Sequence, residues 1–86
     1  MASYEVRMTR SAEKELTSLS KRLVSVLWQK IKALAAQPRP VQTRKLRGAE
    51  SAYRLRVRSY RIVYTIDDER NQVTVTAIRH RKDIYR

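Results

Sequence analysis

The chain has 86 residues and a formal net charge of +12, with no cysteine and a single histidine. That length supports one domain spanning 1–86 with one modest core. The composition excludes a disulfide framework and thiolate chemistry, and it argues against a structural metal site. No apolar run approaches the roughly 20 residues that cross a bilayer, and the N-terminus lacks a signal peptide's regions, so no membrane role and a cytoplasmic location are expected. An excess of positive charge on so short a chain points to a polyanionic partner.

In chain order, Tyr4 to Met8 alternates as a first strand. Thr9 and Ser11 are candidate N-caps for a helix over about 9–18, with Glu13 and Glu15 in its first turns, where acidic side chains suit the helix dipole. Ala12, Leu16, Leu19 and Leu23 form its apolar stripe, and a break is expected near Ser18–Ser20. A second helix follows over about 21–36. Val24, Leu27, Trp28, Ile31, Leu34 and Ala35 recur at helical spacing, which assigns Trp28 to the core. Pro38 and Pro40 stop that helix, and 38–43 reads as a loop. In Arg44-Lys45-Leu46-Arg47-Gly48 only Leu46 looks buried, and the lone glycine marks a tight backbone position.

The segment Tyr53 to Tyr64 carries the clearest functional pattern. Tyr53, Leu55 and Val57 alternate with Arg54, Arg56 and Arg58, a reversal is expected at Ser59–Tyr60, and Ile62, Tyr64 and Ile66 continue the apolar face. Arg54, Arg56, Arg58 and Arg61 should therefore share the opposite face. Tyr53, Tyr60 and Tyr64 read as core or rim aromatics. The acidic turn 67–71 joins Tyr60–Ile66 to a strand over Gln72–Ile78, in which Val73, Val75 and Ala77 alternate with Thr74, Thr76 and Ile78. In the tail, Arg79-His80-Arg81-Lys82-Asp83-Ile84-Tyr85-Arg86, Ile84 could anchor the segment to the body. The layout is α+β in two layers: a helical hairpin covers one face of a largely antiparallel sheet, and the other face stays open.

An arginine-rich open face suits RNA, because guanidinium groups bind phosphate bidentately and stack on unpaired bases. Metal-independent RNA cleavage needs a base for the 2′-hydroxyl, cations for the transition state and an acid for the leaving oxygen. His80 is the one side chain that titrates near neutrality without perturbation. Tyr85 could act as an acid or orient a base. The residues alone leave open whether the face cleaves RNA or only binds a polyanion.

At these motifs the chain resembles the RelE toxins of type II toxin–antitoxin systems, within the RelE/ParE superfamily. The match runs through the opening strand, the helical hairpin ending at Pro38, Lys45-Leu46-Arg47-Gly48, the Tyr53–Tyr64 block and the tail from His80 to Arg86. The resemblance implies the RelE-like fold and a ribosome-dependent, metal-independent endoribonuclease that cuts A-site codons, inhibits translation and needs no cofactor. It further implies a RelB-like antitoxin as partner, with the ribosome and mRNA as targets and operator DNA met only through the antitoxin. By position, Arg54 and Arg56 stand where relatives have two lysines, one of them assigned to proton abstraction. Arg61 matches a transition-state-stabilising arginine, and Tyr85 matches a codon-orienting tyrosine. The tail arginine is Arg81 by strand alignment or Arg79 by distance to Tyr85, with Arg81 preferred. Because arginine is a poor base, proton transfer is assigned to His80, as in members that use a tail histidine. Lys45, Arg47, Arg58, Arg79 and Lys82 complete the expected RNA-binding set. The competing expectations are a ParE-like toxin acting on DNA gyrase and a non-catalytic nucleic-acid-binding module.

Overall fold

The structure, a computed structural model, describes residues 3–41, 43–46, 52–80 and 82. A strand, β1 (Glu5–Met8), leads into two helices, α1 (Arg10–Thr17) and α2 (Lys21–Ala33). Four strands follow: β2 (Thr43–Lys45), β3 (Ala52–Val57), β4 (Tyr60–Asp67) and β5 (Gln72–His80). The sheet order is β1-β5-β4-β3-β2. β1 runs parallel to β5 and every other pairing is antiparallel, so the expected α+β layout holds.

Local chemistry sets the helix limits. Thr9 caps α1 by accepting from the Ala12 N–H at 3.1 Å, and Ser20 caps α2 by accepting from Leu23 at 3.4 Å. Ala12 and Leu16 of α1, with Leu27 and Ile31 of α2 and Leu34 just beyond, meet Leu55, Val57, Ile62, Tyr64, Ile66, Val73, Val75 and Ile78 in one core. The sheet thus has a helix-covered face and an open face. Trp28 departs from its assignment to the core, being 42% exposed. The buried stripe is the narrower line Leu27–Ile31–Leu34, and one step of 100° from Leu27 turns Trp28 outward.

Three strand features differ from the sequence pattern. The three residues of β2 pair with β3 as an edge strand that is too short to show any periodicity. The β3–β4 reversal falls at Arg58–Ser59, since Val57 pairs with Tyr60, and Arg58 adopts a φ of 56°. In β5, Val63 faces Ala77 but Tyr64 faces Val75, so Thr76 is the extra residue of a bulge. Ile78, not Ala77, consequently joins the core. Gly48 and Ile84 lie outside the described residues.

Candidate functional site

The bulge at Thr76 decides which tail residues meet the strand arginines. An extra residue exchanges the two faces for everything beyond it. Arg79 moves to the open face, directly opposite Arg61, which in turn lies opposite Arg56. His80 moves to the helix-covered face, opposite Tyr60. Three arginines therefore form a row across β3, β4 and β5, spanning about 10 Å at the usual strand spacing. The neighbouring row adds Arg44, the Cα partner of Arg54. Arg44, Arg54, Arg56, Arg61 and Arg79 crowd one end of the open face.

Their environments differ. Arg44, Arg56 and Arg79 are exposed and Arg54 is half-buried. Arg61, expected on an open surface, is only 5% exposed. It occupies the central strand between Arg56 and Arg79. Among the described residues its one hydrogen bond runs from Nη1 to the Tyr60 carbonyl at 3.4 Å. Arg79 Nη1 is ion-paired with Glu15 Oε2 of α1.

His80 stands apart from this row. Its imidazole meets the Tyr60 ring edge-to-face, with centroids 5.2 Å apart. Nδ1 accepts the Lys82 backbone N–H at 3.3 Å, which leaves Nε2 to carry the proton of the neutral ring. His80, Tyr60, Glu15, Ser18, Leu19 and Arg79 line an open cleft of about 280 Å³ between α1 and the strand ends. Sequence reasoning put His80 in a tail beside the arginine face; the structure makes it the last residue of β5, on the other side of the same end of the sheet. The rows Arg56–Arg61–Arg79 and Val57–Tyr60–His80 are adjacent, so the two faces meet at that rim.

The remaining expected site residues scatter. Arg58 sits in the β3–β4 turn and no longer follows the strand alternation. Lys45 pairs with Tyr53 and so belongs to the helix side of the edge strand. Lys82 is exposed beside His80. Arg47, Arg81 and Tyr85 lie outside the described residues. Two contributors were missed by sequence reasoning. Arg44 had no alternation to place it. Lys30 of α2 shares a cleft of about 310 Å³ with Arg56 and Arg58, and only the α2–β3 packing reveals that.

At the opposite end of the sheet the charged groups close on one another. Arg39 donates to both Asp68 oxygens, at 2.8 and 3.3 Å, and to the Tyr53 hydroxyl at 3.1 Å, while its guanidinium lies 5.1 Å from the Tyr53 ring centre. Tyr4 donates to Asp68 at 2.6 Å. The Arg39 and Tyr4 hydrogen bonds hold the Asp68 carboxyl below the usual carboxylate range. The Asp68 hydrogen bond raises the Tyr4 phenol, and burial raises that of Tyr64. Tyr64, fully buried, donates to the Pro38 carbonyl at 2.7 Å and stacks on Tyr53 with ring centres 6.0 Å apart.

Comparison with known proteins agrees with this architecture. A family model described as the ParE toxin of the type II toxin–antitoxin system parDE matches residues 6–85. The chain belongs to the RelE/ParE superfamily of type II toxins. It is 32% identical to toxin RelG of Mycobacterium tuberculosis over 84 residues, covering 96% of this chain and 97% of that one. Among solved structures, the RelBE2 toxin–antitoxin complex of Mycobacterium tuberculosis contains a similar chain with a TM-score of 0.80 and 28% identity, covering 92% of this toxin and 99% of that chain. The isolated Escherichia coli RelE toxin gives a TM-score of 0.78 at 29% identity, covering 90% of this toxin and 83% of that chain. Among the described residues no helix is long and apolar enough to cross a membrane.

Proposed function

We propose that this toxin is a ribosome-dependent mRNA endoribonuclease whose phosphate-binding centre is the row Arg56–Arg61–Arg79. The row supports the reading because three guanidinium groups held on adjacent strands bring permanent positive charge to one place. Like charges directly opposite one another destabilise a sheet, so an anion that enters the row gains what the free protein lacks. Arg44 and Arg54 extend the surface along the RNA backbone.

In this mechanism the ribose 2′-hydroxyl attacks the adjacent phosphorus, the 5′-oxygen leaves, and a 2′,3′-cyclic phosphate remains on the upstream fragment. The arginine row stabilises the charge that builds on the phosphoryl oxygens. His80, reached around the rim, takes the 2′-hydroxyl proton on Nδ1 as that atom gives up the Lys82 N–H, the resulting imidazolium protonates the leaving 5′-oxygen, and Tyr85 orients the codon as the family resemblance implies. The register favours Arg79 over Arg81 as the tail arginine, since Arg79 is the Cα partner of Arg61. Because the mycobacterial neighbour is a toxin–antitoxin complex, a RelB-like antitoxin that covers this basic end is the expected partner. The activity belongs in the cytoplasm, where ribosomes are.

Primer extension on mRNA bound to translating ribosomes tests the proposal. Codon-phased cuts are expected, and His80→Ala should slow them by about 10²–10⁴-fold. Full-rate cleavage by that variant removes His80 from the proton step. A second reading has its own support, because the matched family model is described as a ParE toxin. Poisoned DNA gyrase with intact mRNA would establish it instead.

A further inference from the structure

β1 pairs with β5 only as far as Met8 and Val75. The Thr9 N–H still donates to the Val75 carbonyl at 2.9 Å, and the chain then turns into α1. β5 continues to His80 with no strand on that side among the described residues. A backbone N–H left buried there without a partner would oppose folding. Glu15 fills the vacancy, its Oε1 accepting the Ile78 N–H at 3.0 Å while its Oε2 binds the Arg79 guanidinium. The carboxylate is pinned at one oxygen by main chain and holds an arginine with the other. Its side chain is 25% exposed, against 47% for Arg79.

We propose that Glu15 is a positioning residue that fixes Arg79 within the phosphate-binding row, an inference that rests on the nuclease reading above. A free arginine beside Arg61 would swing away from its like-charged neighbour. The carboxylate offsets that repulsion and engages one edge of a planar guanidinium that has five N–H donors. Donors remain for phosphate, and the plane in which they lie is set before the substrate arrives. The other ion pairs among the described residues involve Arg7, Arg39 and Arg70, so within the row only Arg79 has a carboxylate partner there. Glu15 does not touch the RNA; it acts through Arg79.

The variant Glu15→Gln separates positioning from edge-capping, because the amide oxygen still accepts from Ile78. The full chain is assayed on ribosomes programmed with a defined mRNA. In Glu15→Gln, kcat for cleavage is expected to fall about tenfold to a hundredfold, with KM for the programmed ribosome and the melting temperature unchanged. Arg79→Ala should fall at least as far, and adding Glu15→Gln to it should cost nothing more, as befits two residues acting as a unit. Multiplying effects, or wild-type kcat in Glu15→Gln, would overturn the role of Glu15. Wild-type protein that leaves mRNA intact would instead overturn the nuclease reading, before any variant is compared. A readout independent of cleavage is the Arg79 Nη–H resonance, assigned by its loss in Arg79→Ala. It should exchange slowly with water in the wild type and rapidly in Glu15→Gln, and equal exchange would remove the contact.

Discussion

Near the β4–β5 turn, Arg39, Asp68, Tyr4 and Tyr53 bind one another while Tyr64 and Pro38 close the layer beneath. At the β3–β4 end, Arg44, Arg54, Arg56, Arg61 and Arg79 stand together on one face, and among the described residues Glu15 is the one carboxylate that pairs with them. The first end joins β1, the segment after α2, β3 and the β4–β5 turn through matched charges and hydrogen bonds, so its polar groups serve folding. The second concentrates like charge, which opposes folding, with Arg44, Arg56 and Arg79 exposed around the buried Arg61. A small domain tolerates such an end only if the rest of the molecule is well tied, and the tyrosine–arginine cluster supplies part of that tie.

Substitutions at the two ends should therefore separate stability from activity. The largest loss of stability is expected at Tyr64. Tyr64→Ala removes a fully buried ring and its bond to Pro38, at a cost of about 3–5 kcal/mol in urea unfolding. Tyr64→Phe leaves the Pro38 carbonyl without that donor and should cost about 1–2 kcal/mol. Arg61→Met should behave in the opposite way. Exchanging a buried charge for an apolar side chain of similar length leaves stability equal or higher, while cleavage falls about 10²–10³-fold through loss of a transition-state donor. A destabilised but fully active Arg61→Met would reverse the proposed division between the two ends.

The sequence made the fold legible because its elements are marked locally. Thr9 and Ser20 cap, Leu27, Ile31 and Leu34 recur at helical spacing, and Leu55, Val57, Ile62, Tyr64 and Ile66 alternate. The arginine face of β3 was legible for the same reason. The site's far edge was not, because one unpaired residue at Thr76 carries no compositional mark and yet exchanges Arg79 and His80 between faces. Trp28 shows a related limit: periodicity gives a stripe but not its width, and an aromatic at its margin can be assigned to either side. The Arg39–Asp68 pair is joined across 29 positions, and Glu15 and Ile78 across 63. Long-range polar partners of this kind leave no spacing to read.

A smaller effect concerns how the basic end grips RNA. If Arg44 and Arg54 contact backbone phosphates, Arg44→Ala and Arg54→Ala should each reduce the slope of log K against log salt by about 0.7 for a single strand. Filter binding between 50 and 300 mM salt measures it. Arg39→Ala at the paired end should leave the slope unchanged, and an equal reduction there would mean that both ends bind RNA.

The smallest expected effect is the pH response of the paired end, and its two limbs have opposite causes. The folded Asp68 carboxyl holds its proton less tightly than the unfolded one, because Arg39 and Tyr4 bond to its charged form. Its contribution is therefore complete above the ordinary aspartate value of about 3.9 and fades as pH falls through the lower folded value. The Tyr4 phenol is shifted upward, because its proton is held in the bond to Asp68. That contribution is complete below the ordinary tyrosine value of about 10 and fades as pH rises through the higher folded value. Arg39 stays charged across the whole range, its guanidinium raised further by Asp68. Asp68→Asn should accordingly flatten both limbs of the urea midpoint against pH, whereas Tyr4→Phe should flatten the alkaline limb and leave most of the acid one. Added salt screens the exposed Arg39–Asp68 attraction more than the short Tyr4–Asp68 bond, so the acid limb should shrink faster with salt than the alkaline limb. If both limbs survive in Asp68→Asn, the titrating groups lie elsewhere, and the paired end is held by the Tyr53–Tyr64 stack and the Pro38 bond alone.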